Sequence, residues 1–168
     1  MVEDKSFKFK YWDHTNTAFD LIKNWKPRDC KTHKQYQNSL YQYLTQRLKK
    51  VKVIKEYGDG RIRGDIALDR KLMVEIKVNF DTTAEFQRTV GQIESYLEND
   101  WAVIVVVCGR RDKNLVSELN EKYQDLNMWE SNFQIVKKWG QCKKTDKGSG
   151  LIFLPPLRDR CSKKNGEQ

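Results

Sequence analysis

The stretch RIRGDIALDRKLMVEIKV, residues 61–78, contains two short segments in which apolar and polar residues alternate. Alternation with a period of two is typical of β-strands that bury one face. The apolar positions are Ile62, Ile66 and Leu68 in the first segment and Leu72, Val74, Ile76 and Val78 in the second. A hairpin must bring both sets to one side of the sheet, because a slip of one residue reverses every side chain. We therefore predict an antiparallel hairpin whose two apolar sets face the core.

The length of the connecting loop decides which residues face each other. A two-residue turn would pair Leu68 with Lys71 and would put the two apolar sets on opposite faces. A three-residue loop instead pairs Leu68 with Leu72 and Ile66 with Val74. The hairpin is therefore predicted to have a three-residue loop.

The same register brings two acidic residues, Asp65 and Glu75, opposite each other. Directly opposed side chains lie roughly 5 Å apart at Cβ, and two like charges at that distance are destabilising. A divalent cation between them would remove this repulsion, and Mg²⁺ and Mn²⁺ suit carboxylate oxygen ligands. Lys77 leaves the same face of the second strand, within reach of a water molecule or a phosphate at the metal. The hairpin is thus a candidate metal site with a lysine beside it.

The composition is that of a basic globular protein. The chain has 168 residues, enough for one domain with a core, and it is 38% hydrophobic and 33% charged. Its formal net charge is +9 and its pI is about 9.3. Such an excess of positive charge favours a polyanionic partner, nucleic acid first. A lysine-rich but otherwise ordinary soluble protein would have the same charge.

Cysteine use and hydropathy bear on the compartment. The four cysteines are widely spaced and form no CxxC pair: Cys30, Cys108, Cys142 and Cys161. The sequence shows no secretory signal and no apolar run long enough to span a membrane. We therefore expect a cytoplasmic protein with reduced thiols, associated with the nucleoid if it binds DNA, and no membrane partner. An iron–sulfur cluster held by the four cysteines is a less favoured alternative, because the usual ligand spacings are missing.

Apolar periodicity predicts alternating helices and strands. Helices are expected at about residues 15–25, 33–49, 82–97 and 112–126. Strands are expected at about residues 51–57, 61–68, 72–78, 101–108 and 133–139. The expected fold class is α/β, with a mixed central β-sheet flanked by helices. Three regions are expected: residues 1–30 as an N-terminal extension with one helix, 31–140 as the core domain, and 141–168 as a basic linker, a short apolar strand and a flexible tail.

Three motifs occur in order along these elements. Gly64-Asp65 lies on one strand, Glu75-Ile76-Lys77 on the next, and Gln92 precedes Tyr96 by four residues on the helix that follows. Together with the early helix and the apolar strand at 101–108, this order resembles the PD-(D/E)xK, or restriction-endonuclease-like, nuclease superfamily with its α-β-β-β-α-β core. The last pair resembles the QxxxY motif of the RecB-like branch. The resemblance covers about residues 33–108.

The resemblance implies a role for each motif residue. Asp65, Glu75 and the backbone carbonyl of Ile76 would bind Mg²⁺ or Mn²⁺. Lys77 would orient or activate the attacking water and stabilise charge in the transition state. Gln92 and Tyr96, the remaining motif residues, would contact the DNA strand or order the site. The implied activity is phosphodiester hydrolysis of DNA in repair, recombination, restriction or mobile-element defence.

One position departs from the family pattern. Many members carry a metal-side glutamate on the helix before the strands, but residues 33–49 contain no acidic residue. Gln37 aligns best with that position, and His33 is the fallback one turn earlier. Gln37 is thus a further candidate metal ligand, through its carbonyl oxygen. The site would bind metal more weakly, use fewer metals, or have lost catalysis.

The sequence leaves alternatives open about substrate and assembly. Arg61 and Arg63 share the strand of Asp65, and Arg88 lies one turn before Gln92, so these arginines are candidates for phosphate contacts. A nucleic-acid-binding protein with little or no catalysis and an RNA-processing endonuclease are the alternative functions. A homodimer is compatible with the sequence, although no residue pattern requires one.

Overall fold

The computed structural model describes the backbone of residues 6–124 and 132–138, and the side chains of 15–124 and 132–138. These residues form four helices and five strands, in the order α-α-β-β-β-α-β-α-β. The helices are α1 (Ser6–Asn24), α2 (His33–Arg47), α3 (Thr83–Glu98) and α4 (Lys113–Lys122). The strands are β1 (Val53–Asp59), β2 (Ile62–Leu68), β3 (Leu72–Phe80), β4 (Ala102–Arg111) and β5 (Phe133–Lys138).

The strands form one mixed sheet in the order β1-β2-β3-β4-β5. Strands β1, β2 and β3 are joined as antiparallel neighbours, whereas β3, β4 and β5 run parallel. The parallel connections pass through α3 and α4, as parallel strands require. The predicted α/β class with a mixed, helix-flanked sheet is confirmed. None of the helices in the described part of the chain is both long and apolar enough to span a membrane.

Most element predictions hold within a few residues. The helix predicted at 15–25 begins earlier, at Ser6, because its first nine residues lack the apolar periodicity from which the prediction was made. The predicted end of the last helix at 126 and the predicted short strand at 151–154 lie outside the described residues. The starts predicted for α3 and α4 agree with their N-caps, since Thr82 and Asp112 accept hydrogen bonds from the first turns of these helices.

Each face of the sheet carries its own apolar cluster. On one face, Val74 of β3 packs with Ile22 of α1 and Leu40 of α2. On the other face, Met73 packs with Ile93 of α3. All five side chains are fully buried, and each such burial contributes about 1.5–3 kcal/mol. The sheet is thus held between two helical layers, with α2 and α3 on opposite sides of the strands that carry the motifs.

The predicted hairpin loop is confirmed. Leu68 pairs with Leu72 and Ile66 with Val74, so the loop has three residues, 69–71. Asp69 and the arginine after it both have positive φ, 50° and 54°, as a tight reversal between strands requires. The ladder of β2 and β3 ends at the Ile66–Val74 pair, and the expected Asp65–Glu75 pair does not extend it among the described residues.

Strands β1 and β2 reverse their faces part-way along. Ile54 and Tyr57 lie three residues apart, yet both pack on the α3 side of the sheet. Ile62 also packs on that side, whereas Ile66 packs on the side of α1 and α2. The prediction that Ile62 shares a face with Ile66 and Leu68 is therefore wrong.

The reversal is centred on Glu56. Its φ of 54° lies in the left-handed region, which costs a non-glycine residue roughly 1–2 kcal/mol. The ladder of β1 and β2 keeps one register on both sides of Glu56, which leaves Glu56 opposite Asp65. In a regular strand Asp65 and Ala67, two residues apart, would point to the same face of the sheet, and Ala67 packs on the α3 side. Because the alternation of faces is interrupted at Glu56 and Asp65, the Asp65 side chain instead reaches Gln37 of α2 on the other face.

Candidate active site

Each of the three motifs contributes at least one residue to the lining of an open cleft of about 610 Å³. It lies where β2 and β3 stop pairing, between the start of α2 and the middle of α3. Its walls include Gln37 from α2, Asp65 from β2, Glu75 from β3 and Gln92 from α3. The three motifs and the helix position therefore meet in space, as the sequence predicted.

Asp65 is held from two directions. Its Oδ2 accepts a hydrogen bond from the backbone N–H of Ile76 at 2.7 Å, which replaces the strand pairing that was expected there. Its Oδ1 accepts a hydrogen bond from Nε2 of Gln37 at 3.2 Å. With a side chain only 13% exposed, the carboxylate is fixed at the edge of the cleft.

Glycine at position 64 is explained by close packing. A Cβ added there would overlap the sulfur of Met73 and would lie 2.9 Å from its Cγ. The Gly-Asp motif therefore does not mark a turn. Gly64 allows β2 to approach β3 closely just before Asp65.

His33 contacts two of the predicted metal-side oxygens. Its Nε2 lies 3.0 Å from Oδ2 of Asp65 and 3.1 Å from the carbonyl oxygen of Ile76. The hydrogen bond to the Asp65 carboxylate raises the pKa of His33, although partial burial opposes that shift. The sequence offered His33 only as a fallback for Gln37. The sequence did contain a local indication of the position of His33: Thr32 and Gln35 form a capping box, which makes His33 the first residue of α2.

Glu75 is buried and surrounded by donors. Its Oε1 accepts hydrogen bonds from Nζ of Lys77 at 3.0 Å and from Nε2 of Gln92 at 2.9 Å. Its Oε2 lies 3.0 Å from the hydroxyl of Tyr96. Burial and the negative charge of Asp65 raise the pKa of Glu75, and Lys77 and Tyr96 offset this only in part. The negative charge of an ionised Glu75 is therefore only partly offset by its neighbours.

Lys77 makes three contacts through its ammonium group. Besides Glu75, its Nζ donates to Oε1 of Gln92 at 2.6 Å and lies 3.4 Å from Oε1 of Glu85. The side chain is only 6% exposed. Sequence reasoning missed Glu85, although it lies seven residues before Gln92, two turns earlier on the same side of α3.

The QxxxY residues order the site from within. Gln92 bridges Glu75 and Lys77. The hydroxyl of Tyr96, which has a single proton, lies within hydrogen-bond distance of both Oε2 of Glu75 and the carbonyl oxygen of Arg63. Burial and the neighbouring Glu75 raise the pKa of Tyr96. Of the two roles expected for this motif, these contacts correspond to ordering the site.

Gln37 is buried rather than an exposed polar residue. It directs its amide nitrogen to Asp65, donating to the backbone carbonyl at 3.3 Å and to Oδ1 at 3.2 Å. Its carbonyl oxygen is the atom that would have to bind a metal, so the contacts seen are those of a support for Asp65.

The three candidate arginines occupy different places. Arg61 and Arg63 are exposed on the hairpin of β1 and β2, and Arg63 lines the cleft. Arg88 is 71% exposed and lies 3.4 Å from Oε2 of Glu85. Arg63 therefore contributes a positive charge to the cleft, Arg61 lies in the turn of the same hairpin, and Arg88 contacts an acid of the site.

The donor set fits a hard divalent cation. Within residues 15–124 and 132–138, no three His, Cys, Asp or Glu side chains form a ready-made metal cluster. Mg²⁺, however, is usually bound by one or two carboxylates and keeps several waters. Because one nitrogen of His33 contacts both Oδ2 of Asp65 and the carbonyl of Ile76, these oxygens face a common point. Because the negative charge of Glu75 is only partly offset by its neighbours, it adds to the attraction of this cleft for a cation.

Comparison of the chain with family models, with curated proteins and with solved structures gives no match.

Proposed function

We propose that this chain is a metal-dependent nuclease that hydrolyses phosphodiester bonds of DNA, using Mg²⁺ or Mn²⁺. The observation that supports the proposal most is the meeting of Asp65, Glu75 and Lys77 at one cleft: Asp65 and Glu75 line it, and Lys77 and Gln92 both hydrogen-bond to Glu75. The motifs resemble those of PD-(D/E)xK nucleases, and the α-β-β-β-α-β order resembles that of a restriction-endonuclease-like core.

Three groups would hold the cation: the carboxylates of Asp65 and Glu75 and the carbonyl of Ile76. A bound divalent cation supplies Lewis-acid polarisation of the phosphate and lowers the pKa of a bound water. His33 touches two of these oxygens, so a cation shared by them would either displace its Nε2 or include it as a ligand.

The chain's own residues would position the reactants. Water adds to the phosphorus atom while the bond from phosphorus to one ester oxygen breaks, and negative charge grows on the phosphate oxygens. Lys77 would place its ammonium against that charge, since its Nζ already lies 3.0 Å from the candidate ligand Glu75. Gln92 would keep this ammonium in place through its short 2.6 Å contact.

Charge supports a nucleic-acid substrate. The net charge of +9 favours a polyanion, and exposed Arg61 and Arg63 lie on the hairpin beside the cleft. Contacts of this kind neutralise phosphates without reading the base sequence. DNA repair, recombination, restriction or mobile-element defence would suit such an enzyme.

One observation favours a second candidate function, a nucleic-acid-binding protein with little catalysis. Gln37 stands where many family members carry a metal-side glutamate, and it offers Asp65 its amide nitrogen. A neutral glutamine at this position attracts a cation less strongly than a glutamate would.

A cleavage assay separates the two functions. Purified protein is incubated with supercoiled plasmid, labelled single-stranded DNA and labelled RNA, each in Mg²⁺, Mn²⁺ or EDTA. Glu75→Ala and Lys77→Ala should abolish metal-dependent DNA cleavage. Glu94→Gln is the matched control, because Glu94 lies on α3 but pairs with Lys122 away from the cleft.

Each outcome has a definite meaning. Cleavage of RNA but not of DNA would redirect the proposal to an RNA-processing enzyme. Absence of cleavage by the wild type, with DNA binding that weakens as salt rises, would support the binding protein instead. Gln37→Glu would then test whether the missing charge is the cause.

A further inference from the structure

Three side-chain oxygens surround the Lys77 ammonium, which donates hydrogen bonds to two of them and forms an ion pair with the third. A lysine ammonium carries three donors and no acceptor. Around Nζ lie Oε1 of Gln92 at 2.6 Å, Oε1 of Glu75 at 3.0 Å and Oε1 of Glu85 at 3.4 Å. The motif resemblance accounts for Gln92 and Glu75. It gives no role to Glu85.

Glu85 differs from the other two partners in its position. Lys77 and Glu75 each have side chains that are 6% exposed, whereas the Glu85 side chain is 28% exposed. Glu85 also makes the longest of the three contacts. Of the two carboxylates beside Lys77, Glu85 is therefore the more exposed, and its contact is the one that an approaching phosphate oxygen or water would replace most easily.

Glu85 has a second cation available on its outer side. Its Oε2 lies 3.4 Å from Arg88, one turn further along α3. If a phosphate oxygen takes the place of Glu85 beside Lys77, the carboxylate keeps a partner in Arg88. Replacing Glu85 therefore does not leave an unpaired charge.

We infer that Glu85 is a positioning residue for Lys77: its carboxylate holds the ammonium through their ion pair until a phosphate oxygen of the substrate replaces it. This inference rests on the proposed nuclease function. It carries a cost, because a carboxylate at the place of an incoming phosphate repels that phosphate. Glu85 thus favours the geometry of the reaction and weakens substrate binding.

A purely structural role for Glu85, as a residue that stabilises α3, predicts a different result. An acid in the first turn of a helix interacts favourably with the helix dipole, and Glu85 occupies the first turn of α3. In that role its replacement would lower stability and leave the balance between binding and turnover unchanged.

Two variants separate hydrogen bonding from charge. Glu85→Gln removes the charge but retains an oxygen acceptor for Lys77, whereas Glu85→Ala removes both. Both variants should bind DNA severalfold more tightly, and to a similar extent, because both remove the repelling carboxylate. The turnover rate should fall about two- to fivefold in Glu85→Ala, as expected for the loss of one partly exposed ion pair, and less in Glu85→Gln, which keeps an oxygen beside Lys77. Glu94→Gln, on the same helix, should change neither quantity.

A spectroscopic readout keeps the inference separate from the proposed function. In the metal-free protein labelled with ¹⁵N, the Lys77 ammonium should give a slowly exchanging NH₃⁺ signal, assigned by its loss in Lys77→Arg. The signal should broaden or disappear in Glu85→Ala and persist in Glu85→Gln. An unchanged signal in Glu85→Ala would overturn the positioning role, whether or not the protein cleaves DNA. Equal turnover in wild type and Glu85→Ala would also overturn it, whereas absence of cleavage by the wild type would refute only the nuclease proposal.

Discussion

Removal of one buried hydroxyl should destabilise the whole protein because it serves two strands at once. Tyr96 is 2% exposed, and its hydroxyl joins the carbonyl of Arg63 on β2 to the carboxylate of Glu75 on β3. These two strands do not pair with each other beyond Ile66 and Val74. Tyr96→Phe keeps the ring and its packing and removes only this link.

The expected cost follows from the two bonds. A hydrogen bond to a charged group contributes about 1.5–3 kcal/mol and one to a neutral carbonyl about 0.5–1.5 kcal/mol. Because a single proton serves both oxygens, we expect Tyr96→Phe to lower the free energy of unfolding by about 2–3 kcal/mol rather than by the full sum. In a Glu75→Gln background the charged partner is gone, so the same change should cost only about 1 kcal/mol.

Urea unfolding at pH 7 in EDTA measures all four proteins of this double-mutant cycle. Tyr57→Phe is the control, because the buried Tyr57 donates at 3.2 Å to the exposed Asp59 at the end of the same strand and should cost less. Two results would refute the reasoning. One is a cost below about 0.5 kcal/mol for Tyr96→Phe, and the other is an equal cost with and without the Glu75 charge.

Three further predictions concern packing and pH. Gly64→Ala forces a methyl group into Met73 and should lower the free energy of unfolding in urea by about 1–3 kcal/mol. The additional change Met73→Ala should restore part of this loss by removing the overlapping side chain. Equal stability of wild type and Gly64→Ala would show that no overlap exists. The pKa of Glu75 is raised in the folded protein, so the stability that Glu75 contributes is complete below the unfolded pKa near 4.5 and is lost as pH rises through the folded pKa. Glu75→Gln should therefore be more stable than the wild type at pH 7 in EDTA and should lose that advantage at acid pH. Burial raises the pKa of the Cys108 thiol to about 12 from 9.0, so its stabilising contribution is complete below pH 9 and is lost between pH 9 and 12. The difference in unfolding free energy between wild type and Cys108→Ala should therefore fall by up to about 1.4 kcal/mol per pH unit in that range, and a constant difference would contradict the shift.

Features that depend on residues close together in the sequence could be predicted from the sequence. The alternation in residues 61–78 predicted β2, β3 and their three-residue loop, because only one register brings both apolar sets to the same face of the sheet. The same register brought Asp65, Glu75 and Lys77 to one region of the sheet. Helix starts at Thr82 and Asp112 could likewise be predicted, since capping depends on a few neighbouring residues.

Features that depend on several elements could not be predicted. The left-handed Glu56 reverses the faces of β1 and β2, and nothing in its local sequence requires that conformation. As a result Asp65 bonds the backbone N–H of Ile76 instead of facing Glu75 across a regular ladder. Glu85 joins the site only because α3 packs across β3 above Lys77. The contact of His33 with Ile76 likewise depends on how α2 lies against the sheet.

The most direct test of a nuclease centre at Glu75 is single-turnover cleavage of end-labelled DNA by the wild type and by Glu75→Gln, in Mg²⁺ and in EDTA. We predict cleavage by the wild type in Mg²⁺ alone and a rate at least about 100-fold lower for Glu75→Gln, which should nevertheless be the more stable protein at pH 7. Cleavage by Glu75→Gln at the wild-type rate, or no metal-dependent cleavage by the wild type, would contradict a nuclease centre at this residue.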